Sequence, residues 1–174
     1  MKFWLKLFIA MSLLLSSQSF AGWDANEEKD AHESIAEFKK HDPEMKAFFD
    51  QAWGYAVFPD VGKAGMGIGG AHGGGIAFEQ GQVVGSTKLT QLTIGFQLGA
   101  QLYQEIIFFE NKAAMDDFKN GNFELGAQAS AVAVTAGASV DAGYDNGVAV
   151  FTLAKGGLMY EASVGGQKFK FTPK

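Results

Sequence analysis

The chain has 174 residues, 47% of them hydrophobic, with 23 glycines, no cysteine and a formal net charge of −5. Its fourteen basic residues are all lysines, and an acidic chain without arginine is a poor match to nucleic acid, whose affinity comes largely from neutralised phosphates. The lack of cysteine also excludes a disulfide framework and an acylated N-terminal cysteine.

The first element in chain order is a leader. Lys2 and Lys6 precede an apolar run from Leu7 to Leu15, followed by a polar stretch and small residues at Ser19 and Ala21. That order of positive start, short apolar middle and small-residue exit predicts a signal peptide over residues 1–21, cut after Ala21. The run is too short for an anchor helix, which needs roughly 20 apolar residues. An exported chain without disulfides points to a bacterial periplasm. Removal of the leader leaves twelve lysines against nineteen carboxylates.

Residues 22–52 read as a helical segment. From Trp23 to Ala52 there is no glycine, and the apolar residues Ile35 and Phe38, then Met45, Phe48, Phe49 and Ala52, fall three and four apart within each set. Asp42-Pro43 divides the segment into helices near 25–40 and 43–52, with Asp42 as cap and Pro43 in the first turn.

Residues 53–174 read as a β-rich unit that forms one compact domain with the helices. Short strands are expected at Tyr55–Phe58, ended by Pro59, then at Ala64–Gly70, Gly74–Phe78 and Gln82–Thr90. From Gln91 to Leu102 every second residue is apolar, as only a pleated strand requires; the apolar set is expected to cover a dry interior. Tyr103–Phe109 is predicted as a strand buried on both faces, and Asn111–Lys119 as a short helix capped by Asn111 and closed at Gly121. Phe123–Val140, rich in small residues, is assigned to strand. A closing meander is expected from Val148–Ala154, Leu158–Val164 and Lys168–Thr172. Helices first and strands after give an α+β fold, with N-terminal helices packed on a glycine-rich, mainly antiparallel sheet or partly closed barrel.

The chemistry-bearing patterns are few. Gly65-x-Gly67-x-x-Gly70 matches a dinucleotide pattern, but Ala71-His72-Gly73-Gly74-Gly75 behind it is unfit to open the helix that must receive a pyrophosphate. Those glycines are better suited to let a second backbone or a ring lie close. His32, His41 and His72 have no metal-ligand spacing, and no serine stands in a nucleophile-elbow pattern. No catalytic residue, metal or cofactor is expected. Lys168 and Lys170 alternate with Phe169 and Phe171 on the last strand. Lysines beside exposed aromatics suit a lipid headgroup, although lysines also simply solubilise edge strands.

Trp53-Gly54-Tyr55-Ala56-Val57-Phe58-Pro59, then Val61-Gly62-Lys63-Ala64-Gly65-Met66-Gly67, Gly73 to Gly75, and Ile94-Gly95-Phe96-Gln97-Leu98-Gly99 together resemble the SYLF family, over roughly residues 45–172. This is the lipid-binding domain also found in the yeast Las-seventeen-binding protein and in many exported bacterial proteins. The resemblance implies a non-enzymatic domain that binds phospholipid headgroups, with Lys63 as headgroup candidate and Trp53, Tyr55 and Phe58 as neighbouring aromatics. Two departures stand out: residues 22–42 are acidic where eukaryotic members are basic or amphipathic, and Gly85-Ser86-Thr87-Lys88 replaces a Trp-Ser-x-Pro strand. A periplasmic protein would meet neither phosphoinositides nor actin, so the expected partner is a bacterial phospholipid or membrane surface. Two alternatives are a small outer-membrane β-barrel, which long alternation also fits, and a periplasmic structural protein whose acidic helices dock a partner.

Overall fold

The computed structural model describes residues 25–121, 123–126, 129–156 and 164–174, with the backbone alone described at 66–67 and 94–98. Helix α1, Ala25–His41, buries Ala31, Ser34, Ile35 and Phe38, which fall three and four apart and so form one stripe. Asp42 then stops it as expected, followed by a 3₁₀ turn, Pro43–Met45, and helix α2, Lys46–Gln51. The Asp42 carboxylate does more than cap. One oxygen accepts from the backbone N–H of Glu44 and of Gly137, each at 3.2 Å, and the other from Ser139 N–H at 2.7 Å. Burial opposes its charge, but these donors hold the carboxyl below its ordinary range. A local helix cap thus also fastens a loop nearly a hundred residues away.

Beyond Trp53 the several short strands expected from the sequence merge into two very long ones, β1 (Gly54–Glu79) and β2 (Gln82–Phe109). They form one antiparallel ribbon turned at Gln80-Gly81, where φ is 50° and 75°, the positive pair that a two-residue hairpin turn needs. Pro59 does not end the strand because it falls in a bulge between Phe58 and Val61, where its missing N–H is tolerated.

The ribbon is folded back on itself. Trp53, before its start, accepts a backbone hydrogen bond from Gln80 at its turn (3.1 Å). A Cβ on Gly73 would lie 2.8 Å from the Asp60 carbonyl oxygen, and one on Gly75 would strike Phe58 Cδ1 at 2.7 Å and overlap the Val57 carbonyl. These glycines therefore let the two halves of β1 meet backbone to backbone, the role expected of them. Inside the fold lies one core, with Ala56, Phe58, Val61, Leu89, Ile107, Phe109 and Phe169. Outside it, under α1 and α2, lies a second, with Phe38, Met45, Val57, Ile76, Phe78, Ile106, Phe108 and Phe151. Tyr103–Phe109 feeds both cores by alternation and is buried on both faces, as predicted.

Helix α3, Lys112–Lys119, is capped by Asn111, whose side chain accepts from Ala114 N–H, and the chain leaves it through Gly121 at φ 74°. The stretch 123–140 departs from expectation: among its described residues only β3, Val132–Ala133, is strand. Its Ala, Ser and Gly side chains offer little to pack across a ladder, and tight turns at Gly137 and Val140 take its backbone bonds instead. The last described strands are β4 (Val148–Gly156) and β5 (Gln167–Pro173). Both pair antiparallel with β2, β4 along Leu102–Phe109 and β5 along Gly85–Gln91. The expected strand at 158–164 lies, except for Val164, outside the described residues. The pairing order β1-β2-β4-β3, with β5 also on β2, leaves an open sheet rather than a closed barrel. The fold is α+β: helices first, packed on a mainly antiparallel sheet.

Candidate functional site at the bend of the ribbon

The parity of β2 decides what the bend presents. At one end of the strand Tyr103, Glu105, Ile107 and Phe109 face the inner core; at the other, Thr87, Leu89 and Gln91 are buried. Between Met66↔Leu98 and Ile68↔Ile94 the register shifts so that three residues of β2 span one of β1. Two extra residues leave the alternation in phase: Lys88, Thr90 and Leu92 before the shift and Leu102 after it are all exposed. At the base the same face is covered by helix α1, whose Ser34 hydroxyl donates to Gln104 Oε1 at 2.6 Å. Past Gln104 the cover ends, and the same apolar set emerges.

Leu92 is 71% exposed, Ile68 on the facing strand 66% and Leu102 42%, whereas Gln91 is 5% exposed. The expectation that the apolar half of Gln91–Leu102 covers a dry interior is therefore reversed wherever side chains are described. Alternation correctly identified the strand, but which set faces inward is set by the cores at its two ends. An exposed apolar cluster on an otherwise well-packed small domain marks a surface meant to be covered.

Beside this cluster runs a lysine patch. Lys170 of β5 stands directly opposite Lys88 of β2, and Lys168 opposite Thr90. All three lysines are exposed, and Lys88, Thr90 and Leu92 share the outward face of one strand. Lys168 contacts Glu124 at 3.5 Å, an exposed pair of small energetic consequence.

On the inward side of the bend lies a buried polar cluster. Gln167 Nε2 donates to Glu105 Oε2 at 3.0 Å and lies 3.5 Å from the Tyr103 hydroxyl, and Gln91 Nε2 donates to the Gly165 carbonyl at 2.9 Å. Glu105 is fully buried, and burial pushes its carboxyl up to about 8, against smaller opposing effects from Gln167 and from the charge of Lys63. Burial and the Glu105 charge likewise raise Tyr103. At neutral pH the Glu105 carboxyl is accordingly held mainly in its protonated, uncharged form.

The residues singled out from the sequence do not converge. Lys168 and Lys170 lie at the outer face near the bend; Phe169 and Phe171, expected to be exposed beside them, instead pack into the inner core. Lys63 is half-buried, near enough to Glu105 to favour its charge. Phe58 is fully buried against Phe169. Tyr55 stacks on Phe78 under the helices. Trp53 is at the base, about 30 Å along the strand from Lys63, where its indole N–H donates to Glu79 Oε1 at 2.9 Å. Glu79 is bonded in turn by Lys119 at 2.6 Å, which keeps that carboxyl low and the ammonium high.

Sequence reading passed over Ile68, Leu92, Leu102, Lys88 and Glu105. The signal for two of them, Leu92 and Leu102, was visible as unbroken alternation, while the burial of a carboxyl amid Tyr103–Phe109 had none. Among the described residues no three His, Cys, Asp or Glu side chains come together as a metal would require, and no described helix is long and apolar enough to cross a membrane.

The molecule is thus a small α+β domain whose folded ribbon offers an apolar bend flanked by lysines. Residues 90–173 match the family model described as "Las17-binding protein actin regulator". Over 129 residues the chain is 31% identical to "Beta cell expansion factor A" of Aeromonas veronii, an alignment covering 73% of this chain and 49% of that protein. The chain spans about half the length of that relative. Both matches agree with the SYLF family, a family of lipid-binding, non-catalytic domains.

Proposed function

We propose that the processed chain, residues 22–174, is a non-enzymatic phospholipid-binding protein of the bacterial envelope, exported to the periplasm and seated on a membrane surface. One observation carries this reading: on the bend, Ile68, Leu92 and Leu102 turn outward where a water-facing strand would carry polar residues. Agreement with the SYLF family supports a lipid partner in general, and the leader supports the compartment. Lys168 and Lys170 remain the headgroup candidates, with Lys88 added to them. Lys63 would act from the inner side of the bend, while Trp53, Tyr55 and Phe58 serve the reading by holding the ribbon folded.

Flotation of the processed protein with phospholipid vesicles tests this. Burying a leucine side chain is worth about 1.5–3 kcal/mol, so Leu92→Ser should weaken vesicle partitioning roughly tenfold or more and leave the melting temperature unchanged. Failure of the unaltered protein to float with any zwitterionic or anionic vesicle would remove the lipid reading. Recovery of the intact leader on protein isolated from periplasm would remove the processing step.

A further inference from the structure

A second concavity lies at the base of the ribbon, against the outer core. Helix α2 forms one wall and residues 139–144 the other, and the cleft between them has a volume of about 360 Å³, within the range of small-molecule sites. The fully buried Asp42 builds it. Its carboxylate accepts from Glu44 N–H in the turn before α2 and from Gly137 and Ser139 N–H in the loop, and so ties the two walls together. A further backbone bond, from Ala142 N–H to the Ser139 carbonyl at 3.2 Å, closes the loop into a turn.

The interior is apolar and carries two hydroxyls. Phe48 is held from behind by Phe108 and Phe151 and meets the Tyr144 ring at 5.5 Å between centroids, with Ala142 beside them. At the rim Val140 is 66% exposed. The Tyr144 hydroxyl is buried and finds no hydrogen-bond partner among the described residues. Ser139 is 4% exposed, and its hydroxyl lies near Asp42, whose charge it favours, without reaching hydrogen-bonding geometry. Buried hydroxyls left in this way cost free energy, which an occupant that bonds them would recover.

Electrostatics narrow the occupant. Glu44 lines the rim, and among the described residues no lysine does. Burial, with the Glu110 charge, pushes the Tyr144 hydroxyl up to about 12, so it stays a proton donor. The cleft therefore disfavours an anion and offers a donor to an acceptor atom, beside aromatic rings that suit a planar ring. These preferences are opposite to those of a phospholipid headgroup.

We infer that the cleft between α2 and residues 139–144 binds a small heteroaromatic molecule, neutral or cationic, whose ring lies against Phe48 and whose ring acceptor takes the Tyr144 hydroxyl proton in a hydrogen bond. A cationic arm would point to Glu44. The site is separate from the bend and does not rest on the lipid reading.

The probes that test this are quinoline, (aminomethyl)quinoline and quinoline carboxylate, which share a ring and its nitrogen and at neutral pH are uncharged, cationic and anionic. With isotopically labelled processed protein, the first two should saturably shift the backbone amide resonances of α2 and residues 139–144. The carboxylate should bind about fivefold or more weakly than the cation, the ratio expected of one unit-charge contact in water. Tyr144→Phe should weaken quinoline about three- to tenfold, the share of one neutral hydrogen bond. Since that hydroxyl has no partner to lose, the same variant should melt no lower than the unaltered protein. Ala47→Trp, at an exposed position of α2 on the cleft, should fill it, abolish the shifts and leave both the melting temperature and vesicle partitioning unchanged. Absence of a saturable shift with all three probes, equal or tighter binding of the carboxylate, or binding kept by Ala47→Trp would overturn the inference. A lower melting temperature for Tyr144→Phe would show the hydroxyl to be already bonded and overturn it as well.

Discussion

The two ends of the folded ribbon are built from the same kind of strand and come to opposite results. At the base, Tyr55, Val57, Ile106 and Phe108 face outward and are sealed under α1 and α2, with Phe108 in contact with Phe48, Phe49 and Phe151. At the bend, Ile68 and Leu92 face outward in the same parity and are bare. The difference is not in the strands but in what covers them. Helix α1 reaches along the ribbon as far as Gln104, and nothing described extends beyond it. An apolar outward face is core in one place and a docking surface in the other, so stability should concentrate at the base and binding at the bend.

Substitutions can break this contrast, and the largest effect belongs to Gly75→Val. Its side chain would have to occupy the space of the Val57 carbonyl and the Phe58 ring, which no rotamer avoids, so the ribbon would not fold back and soluble, cooperatively melting protein should be lost. Gly74→Val, one residue along on the other face, meets nothing within 4 Å and should melt close to the unaltered protein. If both were tolerated alike, the backbone contact between the two halves of β1 would be wrong.

Next comes Phe108→Ala at the base. Deleting a fully buried ring packed by four others should cost about 3–5 kcal/mol in chemical denaturation, with no specific loss of vesicle binding in whatever protein remains folded. A loss of under 1 kcal/mol would show that the helices do not seal this face.

Glu105 sits between base and bend and adds a pH dependence. Its carboxyl titrates near 4.5 when unfolded and near 8 in the fold. Between those values the unfolded chain binds fewer protons than the native one, so stability is fullest below the lower value and declines as pH rises towards 8. The decline contributed by this group approaches about 1.4 kcal/mol per pH unit. Glu105→Gln keeps an acceptor for Gln167 and has no proton to lose. It should flatten the dependence and melt higher than the unaltered protein at pH 8; equal slopes for the two proteins would refute a buried, neutral Glu105.

The smallest effect on stability sharpens the contrast. Leu92→Ser and Ile68→Ser alter exposed side chains and should move stability by no more than about 0.5 kcal/mol, while each should weaken vesicle partitioning about tenfold or more. A substantial loss of stability would mean that the bend is covered in the free protein.

Local chemistry made a good part of this legible from residues alone. Asp42-Pro43 and Asn111 cap helices because the groups they satisfy are one turn away, and the apolar run Ile106–Phe109 announced a strand buried on both faces. The glycines at 73 and 75 were recognisable as points of close approach, though not what would approach. What the local pattern left open was everything that depends on distant partners. Pro59 looked like a strand end because a bulge exists only relative to a paired strand, and 123–140 looked like strand because its lack of a ladder partner is not written in it. Alternation from Gln91 to Leu102 is the clearest instance: a period of two identifies two faces but carries no label for inside and outside. That label came from the cores at either end of β2 and from the reach of α1, and it turned an expected interior lining into an outward apolar bend. Sequence determined the elements and the periodicity, since both arise from contacts a few residues apart; only the tertiary structure decided phase, cover and the meeting of Lys88 with Lys170, because each is a relation between segments far apart in the chain.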